Sequence, residues 1–171
     1  PARLARSKTN VGGPAGPIGR LVVDRMACVE LPAFPLQLLI RRHPDWRNLP
    51  AGVVDADKPQ GLLLWVNEAA RKTRILPGMR YGAGLSLSGE LRAAPIEVEE
   101  GEAGVREVLL RLRRFSPYVE PAADEPGLFY LDASGLERLH DSLVDWGRLI
   151  RDDLRSVELA ANVVVGFSAF A

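Results

Sequence analysis

Residues 115–136 read FSPYVEPAADEPGLFYLDASGL, and this stretch decides the fold because it predicts a β-hairpin in the middle of the chain. Residues 118–121 and 128–133 carry the β-branched, aromatic and apolar side chains that are typical of strands. Residues 124–127, between them, are turn formers that end in glycine. The segment therefore predicts two antiparallel strands that are adjacent in one sheet.

Two amphipathic helices are predicted to flank this hairpin. Residues 104–115 place apolar side chains on one helical face and arginines on the other, and residues 135–155 keep apolar residues three and four apart after a capping box at Ser134. Apolar strands are predicted at residues 21–31 and 160–167. The order β-α-β-β-α-β predicts an α+β fold of the ferredoxin-like split βαβ type, with both helices on one face of the sheet.

The rest of the chain divides into two further segments. Residues 1–20 are rich in glycine and proline, with four basic residues and no acidic one, which predicts a flexible basic arm. Residues 34–89 interrupt the split βαβ order, and their strand candidates AGVVDA and GLLLWV predict a small inserted domain. Residues 21–33 plus 90–171 would then form the main domain.

Composition and charge limit the class of protein. The 171 residues, 47% apolar and 26% charged, fit one globular domain with a small insertion. The single cysteine, Cys28, excludes an internal disulfide framework, and its apolar strand predicts a buried, unreactive thiol. No apolar run approaches the roughly 18 residues of a membrane helix, and no signal-peptide core is present at the start, so we expect a cytoplasmic protein.

The net charge of zero conceals an asymmetry between the two halves of the chain. Residues 1–89 hold thirteen Lys/Arg and six Asp/Glu, whereas residues 90–171 hold nine and sixteen. A basic half followed by an acidic half is typical of a protein that presents one surface to a polyanion. Charges that are scattered over the surface and solvated would give the same counts.

Five short motifs resemble, in chain order, those of the Y-family DNA polymerases, the lesion-bypass enzymes. The first, at residues 26–39, reads MACVELPAFPLQLL and is similar to the first catalytic motif of the family. The second, at residues 67–71, reads NEAAR and is similar to an N-Y-x-A-R motif. The third, at residues 76–79, reads LPGM and is similar to a G-[IV]-x-x-G-M loop. FSPYVE at 115–120 is similar to the F-S-P-x-V-E that opens the palm hairpin, and residues 125–132 align with S-x-D-E-x-x-L-D. The resemblance implies a palm with a fingers domain inserted after its first strand, without thumb or little finger.

The same resemblance implies that the catalytic carboxylates are missing. Y-family enzymes hold two Mg²⁺ ions between acidic residues of the first strand and of the hairpin. Glu30 and Pro32 occupy the two acidic positions of the first motif, and Gly127 and Leu128 occupy those of the hairpin. We therefore expect no catalytic residue, no metal site, no cofactor and no polymerase activity.

Nucleotide recognition is altered as well. Pro35 stands where the family has an aromatic residue that excludes ribose, and Glu68 replaces the tyrosine that contacts the triphosphate. Arg71 is retained, either as a phosphate contact or as a solvated helix arginine. An active nucleotidyltransferase that recruits Asp124, Glu125 or Asp132 is the alternative interpretation. A ferredoxin-like binding module of another kind would not explain the motif order.

The resemblance extends to a catalytically inactive branch, the ImuB-type proteins of bacterial damage-induced mutagenesis. It implies a scaffold in translesion synthesis whose partners are an ImuA-type RecA-like accessory protein, an error-prone replicative-type polymerase and the sliding clamp. The clamp-binding motif would lie outside this chain. Weak DNA binding is expected at the fingers-like insertion, and the candidate residues are Arg71, Lys72, Arg74, Gly78, Met79 and Arg80.

Overall fold

The computed structural model describes residues 25–136 and 142–166. The described strands are β1 Met26–Glu30, β2 Ala51–Val54, β3 Leu63–Val66, β4 Arg92–Ala94, β5 Val119–Pro121, β6 Leu128–Asp132 and β7 Asn162–Gly166. The described helices are α1 Phe34–Arg42, α2 Glu68–Lys72, α3 Tyr81–Leu87, α4 Val98–Leu112 and α5 Leu143–Arg155, with a 3₁₀ turn at Pro44–Trp46. The predicted arm, residues 1–20, lies outside the described residues.

The larger sheet has the order β5-β6-β1-β7, and all of its pairs are antiparallel. Met26 lies opposite Asp132 and Glu30 lies opposite Leu128, so the predicted pairing of the first strand with the hairpin is confirmed. This strand order is that of the ferredoxin-like arrangement, and the predicted α+β fold class is confirmed.

One face of the larger sheet packs against helices α4 and α5. Alternate residues of β1 and β6 are buried, as the two-residue period of a strand requires. The indole of Trp146 is fully buried in this core, and its Nε1 donates a hydrogen bond to the carbonyl of Phe115 at 3.2 Å. The shared core comprises Ala27, Val29, Phe129, Leu131, Val108, Leu112, Trp146, Ile150 and Leu154, among others.

The other face of the larger sheet carries Met26, Cys28 and Glu30. Because Cys28 alternates with buried Ala27 and Val29, its side chain is on the face opposite α4 and α5, and it is half-buried. The prediction of a buried thiol is therefore wrong, while its unreactivity stays a prediction.

The smaller sheet has the order β3-β2-β4. Strand β2 is antiparallel to β3 and parallel to β4, and Arg92 N donates to the carbonyl of Pro50 at 2.9 Å. The sequence placed the end of the insertion at residue 89, but β4 extends this sheet to Ala94. The predicted boundary is therefore too early, because a three-residue parallel strand has no hairpin turn beside it to signal its presence.

Helix α1 joins the two sheets. Phe34 and Leu38 pack in the core of the larger sheet, while Leu36 and Leu39 pack with Val53 of the smaller one. The sequence predicted that this helix begins the inserted domain. In the structure its side chains pack into the hydrophobic cores of both sheets. Helix α4 begins at Val98 rather than at the predicted residue 104, and the predicted start of α5 falls partly on residues 137–141, which are not described.

Candidate active site

A cavity of about 250 Å³ lies where β1 ends beside the turn between β5 and β6. The four positions predicted to be degenerate meet here, because Glu30, Pro32, Gly127 and Leu128 all line it. The antiparallel register brings Glu30 opposite Leu128. The alignment of the two motifs is thus consistent with the geometry, although the arrangement of ligands is not that of a two-metal site.

Gly127 has no room for a side chain. Its φ is 99°, and a Cβ atom on it would lie 2.6 Å from Phe34 Cβ and 3.0 Å from the carbonyl oxygen of Leu31. Leu31 N donates to the Gly127 carbonyl at 2.8 Å, which fixes this close approach. Phe34 is only 1% exposed and belongs to the core. An aspartate at position 127 would therefore require the displacement of a buried phenyl ring and of the chain after β1.

The remaining carboxylates around the cavity are few. Glu30 is exposed, and its Oε2 accepts a hydrogen bond from Asn162 Nδ2 at 3.3 Å. Asp124 and Glu125 line the same cavity from the turn. Asp132 lies at the far end of β6, opposite Met26, and its Oδ1 accepts from Ser134 N at 2.8 Å. Asp132 therefore cannot be recruited, whereas the two turn residues are near Glu30.

These side chains do not fit a pair of hard divalent cations. Each such ion takes about six oxygen ligands, several of them from converging carboxylates. Pro32, Gly127 and Leu128 supply no side-chain oxygen. In the described ranges, no group of three or more His, Cys, Asp or Glu side chains is placed to hold a metal ion.

Cys28 lies on β1 two residues before Glu30, outside the lining of the cavity. Partial burial raises the pKa of its thiol, and the charges of Glu30 and Glu125 raise this pKa further. The two-residue spacing was the signal in the sequence that Cys28 lies near Glu30, since alternate residues of a strand share a face.

The predicted basic residues of the insertion are exposed. Arg71 and Lys72 lie on α2, with Arg74 just after it, and Arg80 precedes α3. Within residues 25–136 and 142–166, none of the four takes part in an ion pair. Their positive charges are therefore not neutralised by carboxylates of the described chain.

Asn67, the first residue of the NEAAR motif, has a structural role. Its Oδ1 accepts from Ala70 N at 2.9 Å and from Ala51 N at 3.0 Å, and its Nδ2 donates to the carbonyl of Leu49 at 2.7 Å. It caps α2 and fixes this helix to the start of β2. Glu68, beside it, is exposed.

The loop of residues 76–79 is fixed along β3. Gly78 N donates to the carbonyl of Leu63 at 2.7 Å, and Leu63 N donates to the carbonyl of Met79 at 2.8 Å. Gly78 is exposed with a φ of 86°, whereas Met79 packs partly into the core of the smaller sheet. Gly78 and Arg80 are therefore accessible to a nucleic acid, and Met79 is chiefly a packing residue.

Comparison with known proteins identifies the family. The profile of the IMS family, described as impB/mucB/samB, matches residues 29–170. No curated protein sequence matches the chain at a significant level. Within the described residues, no helix combines the length and apolar character that would let it cross a bilayer.

Solved structures share the fold. The chain is similar to the post-insertion binary complex of Dbh DNA polymerase (19% identity, TM-score 0.71), to the insertion ternary complex of Dbh (19%, 0.69) and to DinB from Sulfolobus solfataricus (18%, 0.65). Each match covers 83% of this chain but 42% of the polymerase. The chain thus spans less than half of the length of these proteins and corresponds to their palm and fingers.

Proposed function

This chain belongs to the impB/mucB/samB family of Y-family polymerase-like proteins, and from that premise we propose that it is a non-catalytic scaffold in bacterial damage-induced translesion synthesis. The observation that carries the proposal is the close approach of Gly127 to Phe34. If position 127 had a Cβ atom, that atom would lie 2.6 Å from the Cβ of Phe34. This contact fills the space in which the hairpin carboxylate of an active relative would stand. The fold is kept while the means of holding metal are gone.

The loss is one of charge as well as of space. Two-metal catalysis requires carboxylates that neutralise both cations and position the attacking and leaving oxygens. Glu30 supplies one negative charge at the end of β1, and the residue two positions later is a proline. A single exposed carboxylate provides neither the ligand number nor the rigidity that such ions need.

The partners follow from the ImuB-type resemblance. An ImuA-type RecA-like protein, an error-prone replicative-type polymerase and the sliding clamp are the proposed partners of the whole protein. The chain covers 42% of the length of the solved polymerases. The clamp-binding motif and much of the DNA-binding surface are therefore proposed to lie beyond the palm and fingers.

One observation favours a second candidate, an active nucleotidyltransferase with displaced carboxylates. Asp124 and Glu125 line the same cavity as Glu30, although the described side chains are not grouped closely enough to hold a metal ion without rearrangement of the turn. In that case the turn between β5 and β6 would supply the ligands that the strand positions lack.

Primer extension separates the two candidates. The protein, incubated with primed template, all four nucleotides and Mg²⁺ or Mn²⁺, is expected to add no nucleotide, and crystals soaked in Mn²⁺ are expected to show no anomalous peak beside Glu30. An active Y-family polymerase serves as the positive control. Extension that is abolished by Asp124→Asn or Glu125→Gln would establish the displaced-carboxylate enzyme and refute the scaffold without catalysis.

A further inference from the structure

A second, larger cleft adjoins the cavity at Glu30. It has a volume of about 800 Å³ and lies between the smaller sheet, the first turns of α4 and the turn after β5. Phe34, Leu38 and Val53 form part of its apolar lining. The two spaces share Phe34, Pro35, Trp65 and Pro126, so they are neighbours along one groove.

The mouth of the cleft exposes large apolar side chains from two elements. Leu64 is 42% exposed, Trp65 37% and Val98 73%, and all three line the cleft. Consecutive residues of a strand normally point to opposite faces, yet Leu64 and Trp65 both line this cleft. The register between β2 and β3 shifts at Val53/Val54, and such bulges re-aim side chains next to binding sites.

The charges around the cleft are acidic. Among the described residues, Asp55, Glu97 and Glu102 line it, and the one basic residue of that lining, Arg106, lies 3.5 Å from the Glu102 carboxylate. The adjoining cavity adds Glu30, Asp124 and Glu125, and the part of its lining that the structure describes has no Lys or Arg. A phosphate backbone or a triphosphate would be repelled from this groove, whereas a cationic segment would be attracted.

We propose that this cleft is a docking site for a segment of a partner protein in which Lys or Arg side chains are interspersed among apolar ones. The inference deepens the proposed scaffold function and rests on it. The apolar side chains of the partner fill the cleft against Leu64, Trp65 and Val98, and its cations meet the acidic rim. Tryptophan is enriched among the residues that dominate binding energy, and a concave apolar pocket with a polar rim is the usual setting for them.

Binding of defined peptides tests the proposal. Fluorescence anisotropy of a fluorescein-labelled peptide KLLKWLLK is compared with that of its acidic counterpart ELLEWLLE and of a twelve-nucleotide oligo-dT. The basic peptide is expected to bind with Kd in the micromolar range or tighter, at least about tenfold tighter than the acidic one. Oligo-dT is expected neither to occupy the cleft nor to displace the basic peptide.

Two matched pairs of variants localise the binding. Val98→Lys places a positive charge at the mouth of the cleft, where it repels the cations of the peptide, while Leu110→Lys makes the same change at another exposed position of α4, 64% exposed against 73% for Val98, that does not line the cleft. Glu102→Lys reverses a rim charge, while Glu99→Lys reverses an exposed charge of α4 outside the lining. Val98→Lys and Glu102→Lys should each weaken binding about tenfold, and the two controls less than about twofold.

The outcomes are decisive in both directions. Loss of peptide affinity in the cleft variants alone supports the proposal. Equal binding of the acidic peptide, displacement of the basic peptide by oligo-dT, absence of binding, or equal effects of a cleft variant and its control would each overturn it. If thermal melting shows that Val98→Lys is unfolded, the Glu102→Lys and Glu99→Lys pair decides alone. Failure here leaves the primer-extension result unchanged, so it is distinguishable from failure of the scaffold function.

Discussion

The close approach of Gly127 and Phe34 leaves no room for a side chain at position 127 of the cavity beside Glu30. The glycine has a φ of 99°, which an L side chain adopts only with strain, and it touches the buried phenyl group as well. We expect Gly127→Ala to lower the free energy of unfolding by the cost of a left-handed alanine, about 1–2 kcal/mol, plus an overpacking cost of about 1–3 kcal/mol. Chemical denaturation monitored by tryptophan fluorescence measures the sum.

Gly78→Ala is the matched control for this prediction. Gly78 has a φ of 86°, but nothing lies within 4 Å of the position of its Cβ. The control therefore reports the backbone strain without the contact with Phe34. Equal losses of stability in Gly78→Ala and Gly127→Ala would contradict the steric closure on which the scaffold proposal is built.

Cys28 reports on the electrostatics of the open sheet face. Its pKa is raised first by burial and then by the charges of Glu30 and Glu125, so less thiolate exists at a given pH. Since the thiolate is the nucleophile, alkylation by iodoacetamide should be slow at neutral pH and should accelerate as pH rises. Glu30→Gln removes a negative charge, lowers the pKa and should accelerate alkylation at pH 8. Glu99→Gln, on an exposed part of α4, should leave the rate unchanged, and an equal acceleration would show that Glu30 does not act locally.

Ser116 connects the two strands of the hairpin. It is 2% exposed, and its Oγ lies 2.8 Å from the carbonyl oxygens of both Tyr118 and Asp132 while it accepts from Tyr118 N at 3.3 Å. Ser116→Ala removes the buried hydroxyl that bridges Tyr118 N and the Asp132 carbonyl, while the Tyr118 carbonyl keeps its hydrogen bond from Asp132 N at 3.1 Å. Loss of such a buried hydrogen-bonding partner typically costs about 1–3 kcal/mol. The free energy of unfolding should fall by that amount. Ser86→Ala, which removes an exposed hydroxyl of α3, should change it by less than about 0.5 kcal/mol, and a similar loss in both would refute the connecting role.

The elements that the sequence predicted are those with a strong period. Strands β1, β6 and β7 and helices α4 and α5 alternate or repeat their apolar residues as packing on one face requires. Helix α3 was missed because YGAGLSL contains two glycines and two weak helix formers, and its glycine at position 84 is needed for contact with Leu91. Tertiary packing therefore overrides local preference there.

The candidate site was predicted only in part, for a related reason. The four positions that the motif alignment selected, Glu30, Pro32, Gly127 and Leu128, line one cavity. The contact of Phe34 with Gly127, and the outward turn of Leu64 beside Trp65, depend on backbone conformation and on a register shift. Neither leaves a pattern in a single sequence, so both required the structure.

At the scale of the whole molecule, acidic and basic side chains lie at different places. The groove around Glu30 is acidic, whereas Arg71, Lys72, Arg74 and Arg80 of the insertion are exposed and outside its lining. We therefore expect weak DNA binding that is electrostatic, little dependent on sequence and confined to the insertion. Each phosphate contact releases counterions, so log K should fall linearly with log salt, by about 0.9 for each contact with duplex DNA.

Replacing all four of these residues by alanine tests that expectation. The affinity for duplex DNA, measured by anisotropy across a salt series, should fall, and the salt slope should become shallower by about 0.9 for each contact that is lost. The control variant replaces four other exposed arginines by alanine and so makes the same change in net charge. These arginines lie in α4 and α5 or directly after α4, and they are Arg106, Arg113, Arg148 and Arg155. An unchanged slope in the first variant, or the same decrease in the control, would show that the insertion does not touch the DNA backbone and that only the overall charge matters.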